Sequence, residues 1–377
     1  MKNKTTSNTM MNTNTKNIDK HNTEIMSERI TLDYGSGGLK TAELIDSILL
    51  PAFDNPALAS LADGALLKGN RQLVFSTDSF VVTPWRFPGG DIGKLSVCGT
   101  VNDVCMAGGE PKYLSLSFIL EEGFLFADFR NIVSSIAEEA KKAGISIVTG
   151  DTKVVEAGKC DGIYINTAGI GFQRACLPGK TGIRPGDAVL ISGTIGCHGT
   201  AVMMARSGLL TADSPLVSDC RLLHEISAAA LTAAGAMRHG STTPDSMPPH
   251  MSDAIRIMRD PTRGGVATTL NEFTEQMPFS IELDESSLPF DTSVETACHM
   301  LGLDPLYCAC EGRMLVVCAP EAAAQILTAM QKTPGGEHAA QIGTVTKEMP
   351  GKVILKTSIG GRRILSRLTG IQLPRIC

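Results

Sequence analysis

The sequence predicts a chain of two mixed α/β units, and three observations carry this prediction. A length of 377 residues suits two domains of ordinary size. Hydrophobic residues make up 43% and charged residues 19% of the chain, so a sizeable core can be buried. From about Arg29, short apolar runs typical of strands alternate with longer segments whose apolar residues recur at helical spacing.

The first unit is predicted over residues 29–175, after a polar, Asn- and Thr-rich segment 1–28 that reads as a disordered leader. The segment 128–143 is its clearest helix, because its apolar residues are close to helical spacing and Gly144 follows as a stop. Its remaining predicted elements are a helix within 91–106, a helix-like stretch at 39–49, and strands at 73–77, 113–120, 145–148 and 163–170.

The second unit is predicted over residues 183–362. The segment 177–187 holds two prolines and three glycines and is typical of a linker. Beyond it we expect strands at 188–192 and 314–318, helices at 199–207, 221–237 and 264–277, and a surface loop at 240–253. Clear periodicity ends near Leu368, so residues 363–377 are predicted to form a mobile tail.

Charge and cysteine content narrow the function classes. A formal net charge of −5 without a basic block disfavours general nucleic-acid binding and leaves a local basic site possible. No apolar run reaches about 18 residues, which argues against a membrane helix. The first 28 residues lack the apolar centre of a secretory signal, so we expect a cytoplasmic protein whose eleven cysteines remain thiols.

Four aspartates of the first unit stand beside small residues at predicted strand or turn ends. Carboxylates in such places suit a hard cation such as Mg²⁺, which in turn would hold the phosphates of a nucleotide. The alternative is that each one caps a helix or closes a turn. The four are Asp63, Asp78, Asp103 and Asp151.

Glycine-rich segments precede three helix-like stretches. Such segments let backbone N–H groups approach phosphate closely, and Arg263 could add a planar donor fork. None of the segments matches a Walker or dinucleotide-binding pattern, so ordinary turn glycine is the competing interpretation. They lie at 35–38, 88–93 and 260–265.

Three further side chains are candidates for chemistry. Lys153 is flanked by valines and could be partly desolvated, which would make it a base. Glu311 precedes a predicted strand, and Cys377 is a terminal thiol on the predicted tail. The bland alternatives are a solvated lysine, a surface glutamate and an incidental cysteine. Cys308 and Cys310 lack a second pair at zinc spacing, so a zinc site is not expected.

From about Ile30 onward the chain resembles the HypE family of hydrogenase maturation factors. The closing Leu-Pro-Arg-Ile-Cys is the most specific segment, because related enzymes of the same fold lack a terminal cysteine carrier. The segments that carry the resemblance are 34–38, 75–80, 87–95, 98–104, 147–155, 260–265, 301–306 and 373–377.

The resemblance implies a two-domain α/β (α+β type) fold like that of aminoimidazole ribonucleotide synthetase, in a homodimer whose N-terminal domains pair into a β-barrel. It implies ATP-dependent dehydration of a carbamoyl group on the terminal cysteine to a thiocyanate, the source of the cyanide ligand in [NiFe]-hydrogenase. It implies ATP and Mg²⁺ as cofactors. A HypF-type carbamoyltransferase would load the cysteine, and the HypC–HypD complex would accept the cyanide.

The resemblance also assigns roles to residues. Cys377 is the carrier thiol, and Lys153 and Glu311 flank the carbamoyl group and handle its protons. The metal and nucleotide carboxylates are Asp63, Asp78, Asp103 and Asp151. The remaining residues of the implied nucleotide pocket are Gly37, Gly38, Asn102, Thr149, Gly150 and Arg263.

Three residues differ from the family pattern, and two other functions are alternatives to this prediction. Tyr34 stands where the family usually has His, Cys197 where it has Asp, and Cys310 where it has Asn. One rival is a selenophosphate or thiamine-phosphate type kinase, which would lack the terminal Pro-Arg-Ile-Cys. The other is a scaffold or metal chaperone that uses cysteine thiols, for which metal content is the discriminating measurement.

Overall fold

The computed structural model describes residues 29–35, 43–55, 72–210, 214–235, 254–367, 373 and 375–377. Several predictions lie outside these residues, namely the leader 1–28, the loop 240–253, residues 39–42 of the helix predicted at 39–49, and the site residues Gly37, Gly38 and Asp63. The first described segments form a 3-10 turn at Leu32–Gly35, a π-helical turn at Ile45–Leu49 and a short helix, α1, at Leu50–Phe53.

The first unit is a four-stranded sheet with two helices on one face. The strand order is β1-β6-β4-β5, so β1 and β5 are the two edges. The strands are β1 Leu73–Phe80, β4 Gly109–Glu121, β5 Ser146–Val155 and β6 Ile163–Gln173. A two-stranded ribbon, β2 Arg86–Phe87 and β3 Gly90–Asp91, leads into helix α2, Ile92–Met106, and helix α3 is Phe126–Ala143.

Local sequence explains where these helices begin and end. The Asp91 carboxylate accepts a hydrogen bond from the Lys94 N–H at 2.9 Å and so caps α2. Gly144 adopts a left-handed conformation and ends α3. A Cβ at Gly93 would lie 2.5 Å from the Ile132 carbonyl oxygen, so the close crossing of α2 and α3 requires glycine there.

The second unit is a seven-stranded sheet of order β13-β12-β9-β11-β7-β10-β8. Its central strands β7 and β10 are buried along their whole length, which explains their continuous apolar sequences. The strands are β7 Ala188–Ile191, β8 Ile255–Arg259, β9 Ser280–Asp284, β10 Leu315–Cys318, β11 Ala340–Thr346, β12 Val353–Lys356 and β13 Arg362–Leu365. The helices are α4 Cys197–Arg206, α5 His224–Ala233, α6 Gly265–Thr274, α7 Thr292–Leu301 and α8 Pro320–Gln331.

The predicted strands and helices of both units are present over the described residues, with shifted boundaries. The helix predicted over 221–237 is shorter, at His224–Ala233. The prediction that the mobile tail starts at residue 363 is wrong. Residue 363 lies inside β13, which pairs with β12 as far as Leu365. Among the described residues no helix is long and apolar enough to cross a membrane.

Candidate active site

A cluster of carboxylates lies where the first unit meets the second. Asp78 is near the end of β1, and Asp103 on α2 accepts a 2.7 Å hydrogen bond from Ser76, two residues before Asp78. Burial and the nearby Asp103 charge raise the pKa of Asp78 to about 6. Burial and the same neighbour raise the pKa of Asp260, from the second unit, to about 7. Two predicted carboxylates therefore converge with one that sequence reasoning overlooked.

Glu311 lies behind this cluster in the second unit. Its side chain is 3% exposed, and its Oε1 atom has no hydrogen-bond partner. Burial raises its pKa well above the usual range, and neighbouring acidic groups add to the shift. A strongly perturbed carboxyl beside a crevice is typical of a functional acid or base. The surface-residue alternative for Glu311 is therefore wrong.

Cys377 is docked in the crevice between the two units. Its terminal carboxylate accepts a hydrogen bond from the Val81 N–H at 3.1 Å, just beyond the end of β1. Burial raises the pKa of its thiol to about 12, and the charges of Glu311, Arg263 and Asp78 act on it. The charges of three predicted site residues therefore act on the terminal thiol.

Residues before Cys377 hold the tail along the same path. The Thr83 N–H donates to the Arg375 carbonyl at 3.2 Å, so 375–377 pair with 81–83 as an added strand would. The Arg375 guanidinium donates to the Val81 carbonyl, forms an ion pair with Asp161, and lies 5.7 Å from the centre of the Tyr164 ring. Ile376 is 2% exposed.

Asp151 and Lys153 lie elsewhere in the first unit, which corrects the prediction that four aspartates share one site within a chain. Asp78 on β1 aligns through β6 and β4 with Gly150 on β5, so Asp151 lies three strands from Asp78, roughly 14 Å away. Because successive side chains alternate between faces, Asp151 and Asp78 are on opposite faces of the sheet.

Lys153 is not desolvated within one chain. Its Nζ lies 2.7 Å from the Asp151 Oδ1, and the two side chains are 61% and 58% exposed. The ammonium group lowers the pKa of Asp151. The prediction of a partly desolvated lysine is therefore wrong for the single chain, and the pair stands on the free edge of the sheet.

Two of the remaining predicted pocket residues, Asn102 and Gly150, make contacts that stabilise the fold. The Asn102 amide donates to the Arg221 carbonyl at 3.0 Å and accepts from the Leu223 N–H at 2.8 Å, so it joins the two units, and its assignment to a nucleotide pocket stays a prediction. A Cβ at Gly150 would lie 2.4 Å from the Leu116 carbonyl oxygen, so glycine there is required by sheet packing. Thr149 is half-buried on β5.

The acidic cluster fits the chemistry of Mg²⁺. Hard oxygen ligands are what this cation prefers, and it commonly uses one or two carboxylates together with phosphate oxygens and water. Asp78 and Asp103 provide such a pair, and the raised pKa of Asp78 shows that a cation would relieve their repulsion. No group of three His, Cys, Asp or Glu side chains suited to a metal occurs in the described parts of the chain.

Comparisons with known proteins match both units. Residues 61–173 match the model of the AIR synthase related protein N-terminal domain, and residues 184–356 match that of its C-terminal domain. A carbamoyl dehydratase HypE of Cupriavidus necator is 45% identical over 356 residues, which are 94% of this chain and 96% of the relative.

The chain belongs to the HypE family. A crystal structure of a HypE in complex with ATP superposes with a TM-score of 0.83 at 43% identity, covering 92% of this chain and 99% of that one. The HypE chain of a HypE–HypF complex superposes with a TM-score of 0.71 at 43% identity, covering 86% and 99%. The predicted family and two-domain fold are thus confirmed.

The three departures from the HypE pattern occupy structural positions. Tyr34 is buried, with its ring edge-on to Phe126 at 4.9 Å. Cys310 Sγ accepts a hydrogen bond from the Gly196 N–H at 3.1 Å, directly before helix α4. Cys197 begins that helix, with its sulfur 3.4 Å from the Thr194 hydroxyl. The two cysteines therefore lie together beside Glu311 and support its segment.

Proposed function

We propose that this chain is an ATP-dependent carbamoyl dehydratase that acts on a carbamoyl group carried by its own Cys377 sulfur. The observation that carries the proposal is the docked tail, which holds Cys377 by hydrogen bonds at Val81 and His198 where the charges of Glu311, Arg263 and Asp78 act on its thiol. The family relationship supports the same reaction, because several relatives are named carbamoyl dehydratase HypE.

The reaction converts a thiocarbamate into a thiocyanate. The γ-phosphoryl group of ATP is transferred to the carbamoyl oxygen, which makes that oxygen a good leaving group. One amide proton leaves the nitrogen as the phosphorylated oxygen stays singly bonded to carbon and the C=N bond forms. The second proton passes to a base of the protein as the C–O bond breaks, so that the C≡N bond is completed and phosphate carries the oxygen away. Mg²⁺ held by Asp78 and Asp103 would neutralise phosphate charge during the transfer.

Glu311 is the group we assign to proton removal from the carbamoyl nitrogen. A carboxyl whose pKa is raised by burial is a stronger base when ionised than an ordinary glutamate, which suits a weakly acidic amide N–H. Arg263, whose positive charge acts on both Cys377 and Asp78, is placed to stabilise phosphate oxygens.

The docked thiol itself is a poor nucleophile. Since the thiolate is the reactive form, a pKa near 12 leaves Cys377 almost wholly protonated at neutral pH. We therefore assign loading with the carbamoyl group to an undocked tail, and dehydration to the docked one. This division requires the tail to move, as the sequence predicts.

A homodimer would unite the two separated halves of the predicted site. Among the described residues no strand pairs with either edge of the four-stranded sheet, and its open face exposes Leu73, Phe75 and Ile119. Two such sheets closed into a barrel would cover these side chains and remove both edges. A partner's β5 that pairs with β1 would also bring Lys153 towards the tail docked beyond the end of β1.

Partners and compartment follow from the same reaction. The carbamoyl donor is a HypF-type transferase, in line with the solved HypE–HypF complex of relatives. We assign cyanide acceptance to the HypC–HypD complex and the reaction to the cytoplasm. All eleven cysteines are free thiols in the structure, which suits a reducing compartment.

A mass measurement tests the proposal. The chain is incubated with a HypF-type carbamoyltransferase, carbamoyl phosphate, ATP and Mg²⁺, and then digested after lysine, which releases a terminal peptide from Thr357 to Cys377. This peptide contains Cys377 as its single cysteine, and we expect it to carry a cyano group. Cyanation of Cys377→Ala on another residue would refute the carrier assignment.

The rival metal-chaperone function finds no support in the geometry. Cys308 and Cys310 are 1% and 0% exposed. The two sulfurs have partners inside the fold, at 3.8 Å from the Cys298 sulfur for Cys308 and at the Gly196 N–H for Cys310. Metal analysis of the purified chain remains the test, and we expect no tightly bound zinc or nickel.

A further inference from the structure

One buried histidine contacts the docked tail at the peptide that joins Ile376 to Cys377. His198 lies in the first turn of α4, is 0% exposed, and its Nε2 is 2.6 Å from the Ile376 carbonyl oxygen. This carbonyl belongs to the last peptide group before the thiol residue. The hydrogen bond to this carbonyl therefore restricts the orientation of the peptide group to which Cys377 is attached.

The second ring nitrogen of His198 fixes its proton. Nδ1 is 2.7 Å from the Ser218 hydroxyl, and burial lowers the pKa of His198, so the ring is neutral. A carbonyl oxygen only accepts, so Nε2 carries the hydrogen and donates it to Ile376. Ser218 then donates its hydroxyl hydrogen to Nδ1, and its oxygen accepts the Cys220 N–H at 3.0 Å.

The surroundings hold the imidazole in one orientation. Phe87 from the first unit packs edge-on against the ring at 5.2 Å. Ser218 is itself tied to the first unit, since its N–H donates to the Pro88 carbonyl at 2.8 Å. The ring is therefore anchored to both units that form the crevice, and the tail carbonyl receives a donor whose place is set before docking.

We propose that His198 is a positioning residue that holds the tail in the docked register by donating from Nε2 to the Ile376 carbonyl, with Ser218 setting its tautomer. The proposal rests on the proposed function only in the purpose it gives to this docked position, where the charge of Glu311 acts on the Cys377 thiol. The contact itself is independent of ATP and of the carbamoyl group.

Alkylation of Cys377 in the full-length, unloaded chain tests the contact. Iodoacetamide reacts with thiolate, so docking protects Cys377 both by burial and by its pKa of about 12. His198→Phe keeps a buried ring but removes the donor, and loss of one buried hydrogen bond should raise the alkylation rate about tenfold. The rate is read from the Thr357–Cys377 peptide, and its pH profile should shift towards that of an ordinary thiol.

Three further variants separate the hydrogen bond from general damage. His198→Gln retains an N–H donor, so its alkylation rate should stay within about threefold of wild type. Ser218→Ala frees the tautomer and should give an intermediate rate without emptying the ring site. The exposed His299→Gln serves as control, and Cys176, whose side chain is partly exposed, serves as the reference thiol.

Equal acceleration in the Phe and Gln variants, or the wild-type rate in folded His198→Phe, would overturn the proposal. If His198→Phe fails to fold, the decision passes to Ser218→Ala, for which an unchanged rate has the same meaning. Cyanation of the loaded variants forms a separate arm, in which ATP affinity should be retained while the rate falls. Absence of cyanation in every chain, wild type included, would refute the proposed function and leave the alkylation result standing.

Discussion

The crevice around Cys377 and the free edge of the four-stranded sheet both carry predicted catalytic residues, in opposite environments. Glu311 in the crevice is 3% exposed, whereas the Lys153 side chain on the edge is 61% exposed. Burial raises the pKa values of Asp78, Asp260 and Glu311, while an exposed ion pair lowers that of Asp151. The comparison shows that one chain holds a buried group of acidic residues and displays Lys153 and Asp151 on a separate, exposed strand, and the proposed dimer would bring the two together.

The largest expected effect comes from Glu311→Gln. Glutamine keeps the size and shape of the buried side chain without adding a charge, so folding should be retained while the proton acceptor is lost. We expect the ATP-dependent dehydration rate to fall about 1000-fold in single-turnover cyanation, with ATP affinity unchanged. An unchanged rate would show that Glu311 is not the proton acceptor. It would also refute the claim that the buried acidic residues carry out the reaction.

Lys153→Ala tests whether the lysine on the exposed edge strand β5 takes part in dehydration. We expect dehydration to fall about 100-fold while ATP affinity, measured by calorimetry, stays within experimental error of wild type. The exposed Lys159→Ala is the matched control and should keep full activity. Loss of ATP binding in Lys153→Ala would instead assign the lysine to the phosphate site.

The raised pKa of Asp260 predicts a pH-dependent stability. Because the folded-state pKa of about 7 exceeds the unfolded value near 4, the folded chain binds more protons between these limits, and wild-type stability falls as pH rises through them. Asp260→Asn removes this dependence. Its stability relative to wild type should grow by about 2 kcal/mol from pH 5 to pH 7, as measured by denaturant unfolding. A constant difference across this range would contradict the burial of a titrating carboxyl.

The smallest effect is expected for the stability of Lys153→Met. The Lys153–Asp151 pair is exposed, and such pairs contribute about 0.5 kcal/mol or less to unfolding free energy. Thermal unfolding of dilute protein should therefore barely change, although activity is lost. A large loss of stability would mean that the pair serves the fold of the single chain.

Sequence reasoning predicted the elements well because their periodicity is local. The apolar spacing in 128–143 reflects one buried helix face, and the apolar runs of β7 and β10 reflect strands that are buried on both faces. It failed where the answer depends on strand order, since nothing local indicates that Asp78 and Asp151 lie on opposite edges and faces. His198 was missed because a lone histidine reveals its role only when the tail carbonyl lies against it.

Asp260 shows a second limit. The segment 260–265 was noticed for its glycines and for Arg263, yet its first residue is the carboxylate that joins the acidic cluster. Asp260 belongs to the second unit, whereas Asp78 and Asp103 belong to the first. Residue spacing along the chain does not indicate which parts of the two units lie close together. Glu311 and Cys377 are candidates from the sequence alone, and the family resemblance assigns their roles; the charge of Glu311 acts on the Cys377 thiol in the structure.

A mixed dimer tests most directly whether the edge of one copy completes the crevice of another. Lys153→Ala chains, which keep Cys377, are mixed with an equal amount of Cys377→Ala chains, which keep Lys153. Alone, Cys377→Ala should give no cyanation, and Lys153→Ala should give about a hundredth of the wild-type initial rate. Random pairing should restore about a quarter of the wild-type yield, all of it on the Cys377 of the Lys153→Ala chain. Absence of cyanation in the mixture, with dimer exchange verified, would contradict the account.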